Sequence, residues 1–298
     1  MIRIKIFALV FLLTTLSGKL FAQDLMDMLK SDTPQINYAY ATFKTTRVVL
    51  GQSIENPASG TLQFLIEHNF GSINQGAYNM WGLDGSTIRL GLEYGINDWL
   101  SIAVGRSSYQ KTFDGSFKAK ILRQCSGSRN MPLSLSFYGG TMLNSLKWSN
   151  PSRTNYFSSR LSYVAQLLVA RKFSNSLSLQ LTPTYIHKNL VPLRTDQNNI
   201  FSVGLGGRYK ITQRTSVNAE YFYLLPGTTA DNYQNCLSVG VDIETGGHVF
   251  QFRLTNAQPM FERAFITETT GKWTDKGIFL GFTINRVFTV KKSALPKE

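Results

Sequence analysis

The sequence predicts an all-β fold, an antiparallel transmembrane β-barrel of the outer-membrane type with about 12 strands. Three observations predict it. Apolar side chains alternate with small or polar ones over stretches of about ten residues, as in Ser86 to Tyr94, where Ile88, Leu90, Leu92 and Tyr94 share one face and Thr87, Arg89, Gly91 and Glu93 the other. A period of two is that of an extended strand. Aromatic residues recur near strand ends, at Tyr94, Trp99, Phe117, Phe173, Tyr185, Tyr209, Tyr223 and Phe288, as in girdles at two membrane interfaces. The faces opposite the apolar ones are rich in Gly, Ser, Thr, Asn and charge. A soluble sandwich, by contrast, needs an apolar core face on every strand.

The chain opens with Arg3 and Lys5, an apolar run from Ile6 to Leu13, and small and polar residues up to Phe21-Ala22-Gln23. This is the layout of a secretory signal peptide over residues 1–22, too short for the ~20 apolar residues of a spanning helix. Past it, Gly, Ser, Asn or charge interrupts every hydrophobic stretch. Backbone groups in a bilayer are satisfied only by helices or closed barrels, so a membrane reading means a barrel.

Residues 23–59 stand outside the repeat. Asp24 to Lys30 can form an amphipathic turn with Leu25, Met28 and Leu29 on one face. Strand-like stretches from Ile36 to Ile54 are broken by Lys44-Thr-Thr-Arg47 and closed by Asn56-Pro57. The segment reads as a periplasmic lead-in, the alternative being an insert in the barrel mouth.

Residues 60–290 form the barrel. Strands are expected at 60–69, 86–95, 99–107, 115–123, 133–142, 158–171, 177–187, 199–210, 215–225, 235–244, 248–256 and 277–288. Turn-forming residues make short connections at Asn97-Asp98, Ser174 to Ser176, Thr212 to Arg214 and Thr245 to Gly247, with Cys125 to Met131 slightly longer. Connections at the other end are mostly long, and Ser108 to Asp114 is the short exception, closing on an Asp114-Gly115 turn signal. An even strand count places both termini in the periplasm of a bacterial outer membrane. Gly281 to Phe288 resembles the last-strand signal read by barrel-assembly machinery, and residues 291–298 form a polar tail.

Subtracting the lipid faces leaves the lumen candidates Arg89, Glu93, Lys118, Lys120, Arg208, Glu220, Asp242 and Arg253, with Glu244 beside Asp242. Between the strands of Arg89 and Lys118, only Ser101, Ala103 and Gly105 face inward, leaving room for long side chains to meet. Such charges either line a water-filled pore or pair across strands and fill it.

The formal net charge is +13, and three of the basic residues, Arg3, Lys5 and Lys19, belong to the leader. Much of the excess falls at the short-turn edge, in Arg123, Arg129, Arg171, Lys172, Lys210, Arg214, Arg286, Lys291 and Lys292. Cationic side chains snorkel there to the phosphates of outer-membrane lipids. A periplasmic or cell-surface protein partner is the sharper alternative, and the compartment argues against nucleic acid.

Chemistry finds little purchase. His68, His187 and His248 fall too far apart for one metal site. Glu67 and His68 are adjacent in a strand and point to opposite faces. Gly204-Leu-Gly206-Gly207 lies within a strand, so it is no phosphate loop. Cys125 and Cys236 fall at opposite barrel ends, beyond the ~7 Å reach of a disulfide. The sequence calls for no catalytic residue, no metal and no cofactor.

Several strings resemble a family: Ala41-Thr-Phe-Lys-Thr-Thr-Arg47, His68-Asn-Phe-Gly71, Gly82-Leu-Asp84, Gly105-Arg-Ser-Ser108 and Phe113-Asp-Gly-Ser-Phe-Lys118. They are similar to the Bacteroidota domain-of-unknown-function family 5777. The resemblance covers most of the mature chain and implies an outer-membrane barrel, with no catalytic or ligand residue to carry over.

The functional expectation is a porin-like passage for small polar solutes. The alternative is a closed structural or scaffold barrel acting through its basic rim or outer loops, where Trp81, Phe261, Phe265 and Trp273 would make contact. A membrane-embedded hydrolase comes third.

Overall fold

The computed structural model describes residues 35–227 and 232–291. The signal peptide, the Asp24 to Lys30 turn and the tail beyond residue 291 lie outside the described residues. In chain order the strands are β1 Ile36–Tyr38, β2 Thr61–Ser72, β3 Ser86–Gly95, β4 Leu100–Ser107, β5 Phe113–Leu122, β6 Cys125–Gly127 and β7 Ser134–Leu143. They continue as β8 Leu161–Lys172, β9 Leu177–Lys188, β10 Asn199–Lys210, β11 Thr215–Leu224, β12 Cys236–Thr245, β13 His248–Thr255 and β14 Phe279–Thr289. β1 and β6 make a separate two-stranded sheet. The other 12 strands form a closed antiparallel barrel, β14 returning to β2 from Phe279↔Ser72 to Thr289↔Thr61.

Alternation builds the wall as the pattern dictates. β3 and β10 present strictly alternating exposed and buried side chains over most of their length. The outward residues are apolar: Leu90 is 47% exposed, Val104 60% and Leu205 56%. In water such a belt would be an aggregation surface, and in a bilayer it is the lipid face. Exposed Trp99, Phe173, Tyr209 and Phe288 gather at the short-turn end and Tyr163, Tyr185 and Tyr223 toward the other. Phe117 departs from the girdle pattern. It sits in mid-strand, and Gly139 beside it leaves room for the ring, since a Cβ there would come within 2.7 Å of it.

The interior differs from the expected lead-in and hydrophilic bore. Most of residues 42–54 are buried inside the barrel, entering from the short-turn end. They form a tight hairpin with Val48 N bonded to Gly51 O at 2.8 Å and Ser53 N to Thr46 O at 2.9 Å. From the opposite end the connection after β13 folds inward as well, and its helix α1, Glu262–Thr267, is buried at every residue. Phe261 and Phe265, expected on an exposed loop, are 1% and 0% exposed.

Packing gives the reason. A 12-strand wall encloses more space than its own inward side chains fill, and chain from both ends occupies the remainder. Val48, Val49 and Leu50 from the hairpin and Phe261, Phe265 and Ile266 from the loop share an apolar core with Met142, Leu168, Ile186, Ile200 and Phe222 of the wall. Strands β7 to β11 therefore mix apolar with polar residues on their inner faces. Gly206 is part of the fit, since a Cβ there would lie 3.2 Å from Val48.

Leu205→Arg places a cation in the middle of the lipid face. It is expected to lower folding stability in lipid vesicles by about 2–4 kcal/mol, read by urea titration. A change within about 0.5 kcal/mol, the level of an ordinary solvated surface, would contradict a membrane-facing wall.

Candidate functional site

The charged side of the lumen is built by β2 to β5. Arg89 donates from Nε to Asp114 Oδ1 at 3.0 Å and from Nη2 to Oδ2 at 2.6 Å, and its Nη1 binds Glu67 Oε2. The pair crosses β4 over Gly105, where a Cβ would meet Arg89 Nη2 at 2.5 Å and Asp114 Oδ2 at 2.7 Å. Small residues on β4 do leave room for long ones to meet, but the partner is Asp114, not Lys118 or Lys120. Asp114, expected at a turn, is the second residue of β5 and faces inward.

Glu93 finds its cation on the hairpin. Arg47 Nη2 lies 2.8 Å from Glu93 Oε1 and Arg47 Nε 3.9 Å from Glu67 Oε1, all three side chains being buried. Lys118 reaches across instead of pairing with a wall carboxylate, donating to the carbonyls of Ser53 at 3.0 Å and Glu55 at 2.9 Å. Lys120 is half-buried at the short-turn mouth, beside Tyr40 and Glu55.

The second expected cluster is likewise divided among partners on the inserts and the wall. Glu220 accepts from the hairpin tip, with Leu50 N at 2.7 Å, Val49 N at 3.2 Å and Gly51 N at 3.1 Å. Arg208 donates to the carbonyls of Ala41 at 2.8 Å and Thr42 at 3.2 Å. Glu244 pairs with Lys44, while Asp242 accepts from Gln251 at 2.9 Å on the wall. Arg253 binds Asn69 at 2.8 Å and Thr283 at 2.6 Å.

The far insert is locked in the same way. Asn69 donates to the carbonyls of Ala257 and Gln258 at 3.1 and 3.0 Å. Glu268 accepts from Lys188 at 2.9 Å and Arg263 at 2.6 Å. Burial, reinforced by the Glu268 carboxylate, pushes the nearby Tyr109 hydroxyl up to about 12. Gln52 of the hairpin donates to Glu262 of α1 at 2.7 Å, so the two inserts touch.

Beneath the hairpin, at the short-turn end, a cavity of about 440 Å³ is lined by Tyr40, Lys44, Glu55, Asn56, Gln63 and Asn285 among others. Of the histidines, His68 stacks on Phe282 with ring centroids 5.1 Å apart, and His187 Nδ1 lies 2.7 Å from Asn199. Cys125 and Cys236 are buried and free.

Sequence reasoning overlooked Arg47, Glu67, Asp114, Glu262 and Glu268. Glu67 was legible, since counting by two from Gln63 puts it on the inner face of β2. Arg47 carried no such signal, because the hairpin that bears it is no part of the strand repeat.

The fold and its interior define a class: a transmembrane β-barrel of the outer-membrane type, closed by two segments of its own chain. The chain belongs to the family of membrane-bound β-barrel domains DUF5777, whose model matches residues 43–288. The matched span begins inside the hairpin, so most of that insert is part of the family domain. Among solved structures the chain is similar to the NanC porin, with a TM-score of 0.48, 9% identity and coverage of 76% of this chain and 98% of the porin. It is also similar to the COG4313 outer membrane channel from Pseudomonas putida F1, with a TM-score of 0.47, 14% identity and coverage of 78% and 97%. Outer membrane phospholipase A from Escherichia coli gives a TM-score of 0.41, 10% identity and coverage of 76% and 88%. No curated protein matches the chain.

Arg47→Ala strands Glu93 in the lumen. Breaking one partner of a buried pair is expected to cost about 3–5 kcal/mol, measured by urea unfolding in detergent micelles. Adding Glu93→Gln should recover part of that loss. Simple additivity of the two substitutions would mean that they do not interact.

Proposed function

We propose that the protein is an outer-membrane barrel that is closed at rest and becomes a passage for small polar solutes when its two inserts leave the lumen. The observation that carries this reading is the manner in which the hairpin is held. Wall side chains, those of Glu220, Lys118, Arg208 and Gln180, grip its backbone N–H and C=O groups. Withdrawing the hairpin would expose hydrophilic groups able to face water. In this reading the chain is a conduit, not an enzyme, and the short turns and both ends of the wall face the periplasm.

A second reading, a permanently closed scaffold, is favoured by the apolar part of the fit. Phe43, Val48, Val49, Leu50 and Ile54 are all buried. At about 1.5–3 kcal/mol per side chain, they hold the hairpin against spontaneous release. Function would then lie in the loops and rim.

Planar-bilayer recording separates the two. The intact protein is expected to show no conductance steps. Replacing residues 41–56 and 257–271 together by short Gly-Ser linkers should give discrete steps, while either replacement alone leaves one insert across the bore. Heat-modifiable gel migration checks that the trimmed barrel folds. A folded, doubly trimmed barrel without conductance would rule out the passage and leave the scaffold.

A further inference from the structure

The place that Arg47 occupies on the wall has the chemistry of a binding site. Its guanidinium is fully buried between Glu93 of β3 and Glu67 of β2, and Glu262 of α1 adds a third carboxylate to its surroundings. Glu67 is 0% exposed. Its Oε2 is taken by Arg89, whereas its Oε1 lies 3.9 Å from Arg47 Nε and accepts no hydrogen bond from any of the described residues. A buried carboxylate oxygen without a donor is costly, and here it is directed at the guanidinium. Arg47 therefore fills the site imperfectly.

The rest of the wall cannot take over its role. Arg89 is already spent on Asp114 through two hydrogen bonds and on Glu67 Oε2, and leaves Glu67 Oε1 and Glu93 to another cation. If the hairpin leaves, Glu67, Glu93 and Asp114 remain on β2, β3 and β5 against Arg89 and Lys118, while Arg253, the other wall cation near Glu67, stays tied to Asn69 and Thr283 on its far side. Lys118, freed from the carbonyls of Ser53 and Glu55, is left beside Glu93 with a single charge. The remaining carboxylate favours a cation, and a guanidinium supplies a planar fork of donors that suits two carboxylates better than an ammonium does.

We propose that Glu67 and Glu93 form a recognition site for guanidinium-bearing solutes, and that Arg47 occupies it in the closed state as an internal mimic of such a solute. The assignment as a solute site rests on the passage reading above. Arg47 then both closes the bore and reserves its selectivity element.

Two measurements test it separately from that reading. In the full-length Arg47→Gly protein, ethylguanidinium should raise the unfolding midpoint, and tetramethylammonium at equal concentration should not. The rise should vanish when Glu67→Gln and Glu93→Gln are added. In the doubly trimmed barrel, argininamide should block the conductance at a concentration at least tenfold below that of lysinamide, and the neutral citrullinamide should not block. A silent trimmed barrel with rescue intact would overturn the passage but keep the site. Folded Arg47→Gly protein that ethylguanidinium does not stabilise, or block unchanged by the glutamine substitutions, would overturn the site.

Discussion

The burial of Arg47 between Glu93 and Glu67 is the interaction on which the interior depends. Each of these charges lies where solvent cannot screen or hydrate it, so each needs a partner in place. A charge buried without one costs several kcal/mol. Wall and hairpin thus become mutually necessary. Among the described residues Glu93 has no other cation within bonding distance, and Lys118, which stands on the adjoining side of the lumen, is spent on hairpin carbonyls. The same dependence recurs opposite, where three N–H groups at the hairpin tip would lack an acceptor without Glu220.

This dependence explains what the sequence could reveal. Periodicity is a property of each strand alone, and it located all 12 wall strands, most boundaries falling within two or three residues of the expectation. Inward charges at Arg89, Glu93, Lys118, Arg208, Glu220, Asp242 and Arg253 follow from the same count. Their partners do not, because a partner is fixed by what crosses the lumen. Arg47 and Glu262 sit in segments with no period of two, and the sequence separation between Gln52 and Glu262 hides their contact.

Other features are legible in the residues but point two ways. Asp114-Gly115 read as a turn signal because that dipeptide often is one, yet Asp114 is drawn into β5 by a bidentate Arg89. Apolar inner residues such as Leu168, Ile186 and Phe222 broke the hydrophilic pattern expected of a pore wall. An inner face that carries Leu and Phe next to Gln and Glu is the sequence trace of a wall packed against polypeptide.

Both inserts resist removal through apolar burial as well as charge, and this bears on what could open the barrel. The hairpin is held by charge and backbone hydrogen bonding, which water can replace, and by the buried Phe43, Val48, Val49, Leu50 and Ile54, which it cannot. The far insert is anchored by Phe261, Phe265 and Ile266 in a dry core as well as by the Glu268 pairs. Withdrawing the hairpin strips Glu262 of Gln52 and takes Val48 and Leu50 out of the core that holds Phe261 and Phe265, so loss of the near insert weakens the far one. Shifting such a closed state from 1:99 open to 99:1 requires about 5.5 kcal/mol of differential binding. On the proposed passage, a ligand of the open wall would supply that by satisfying the carboxylates that the hairpin abandons. The residues that hold the hairpin in the lumen would then be the ones such a ligand engages.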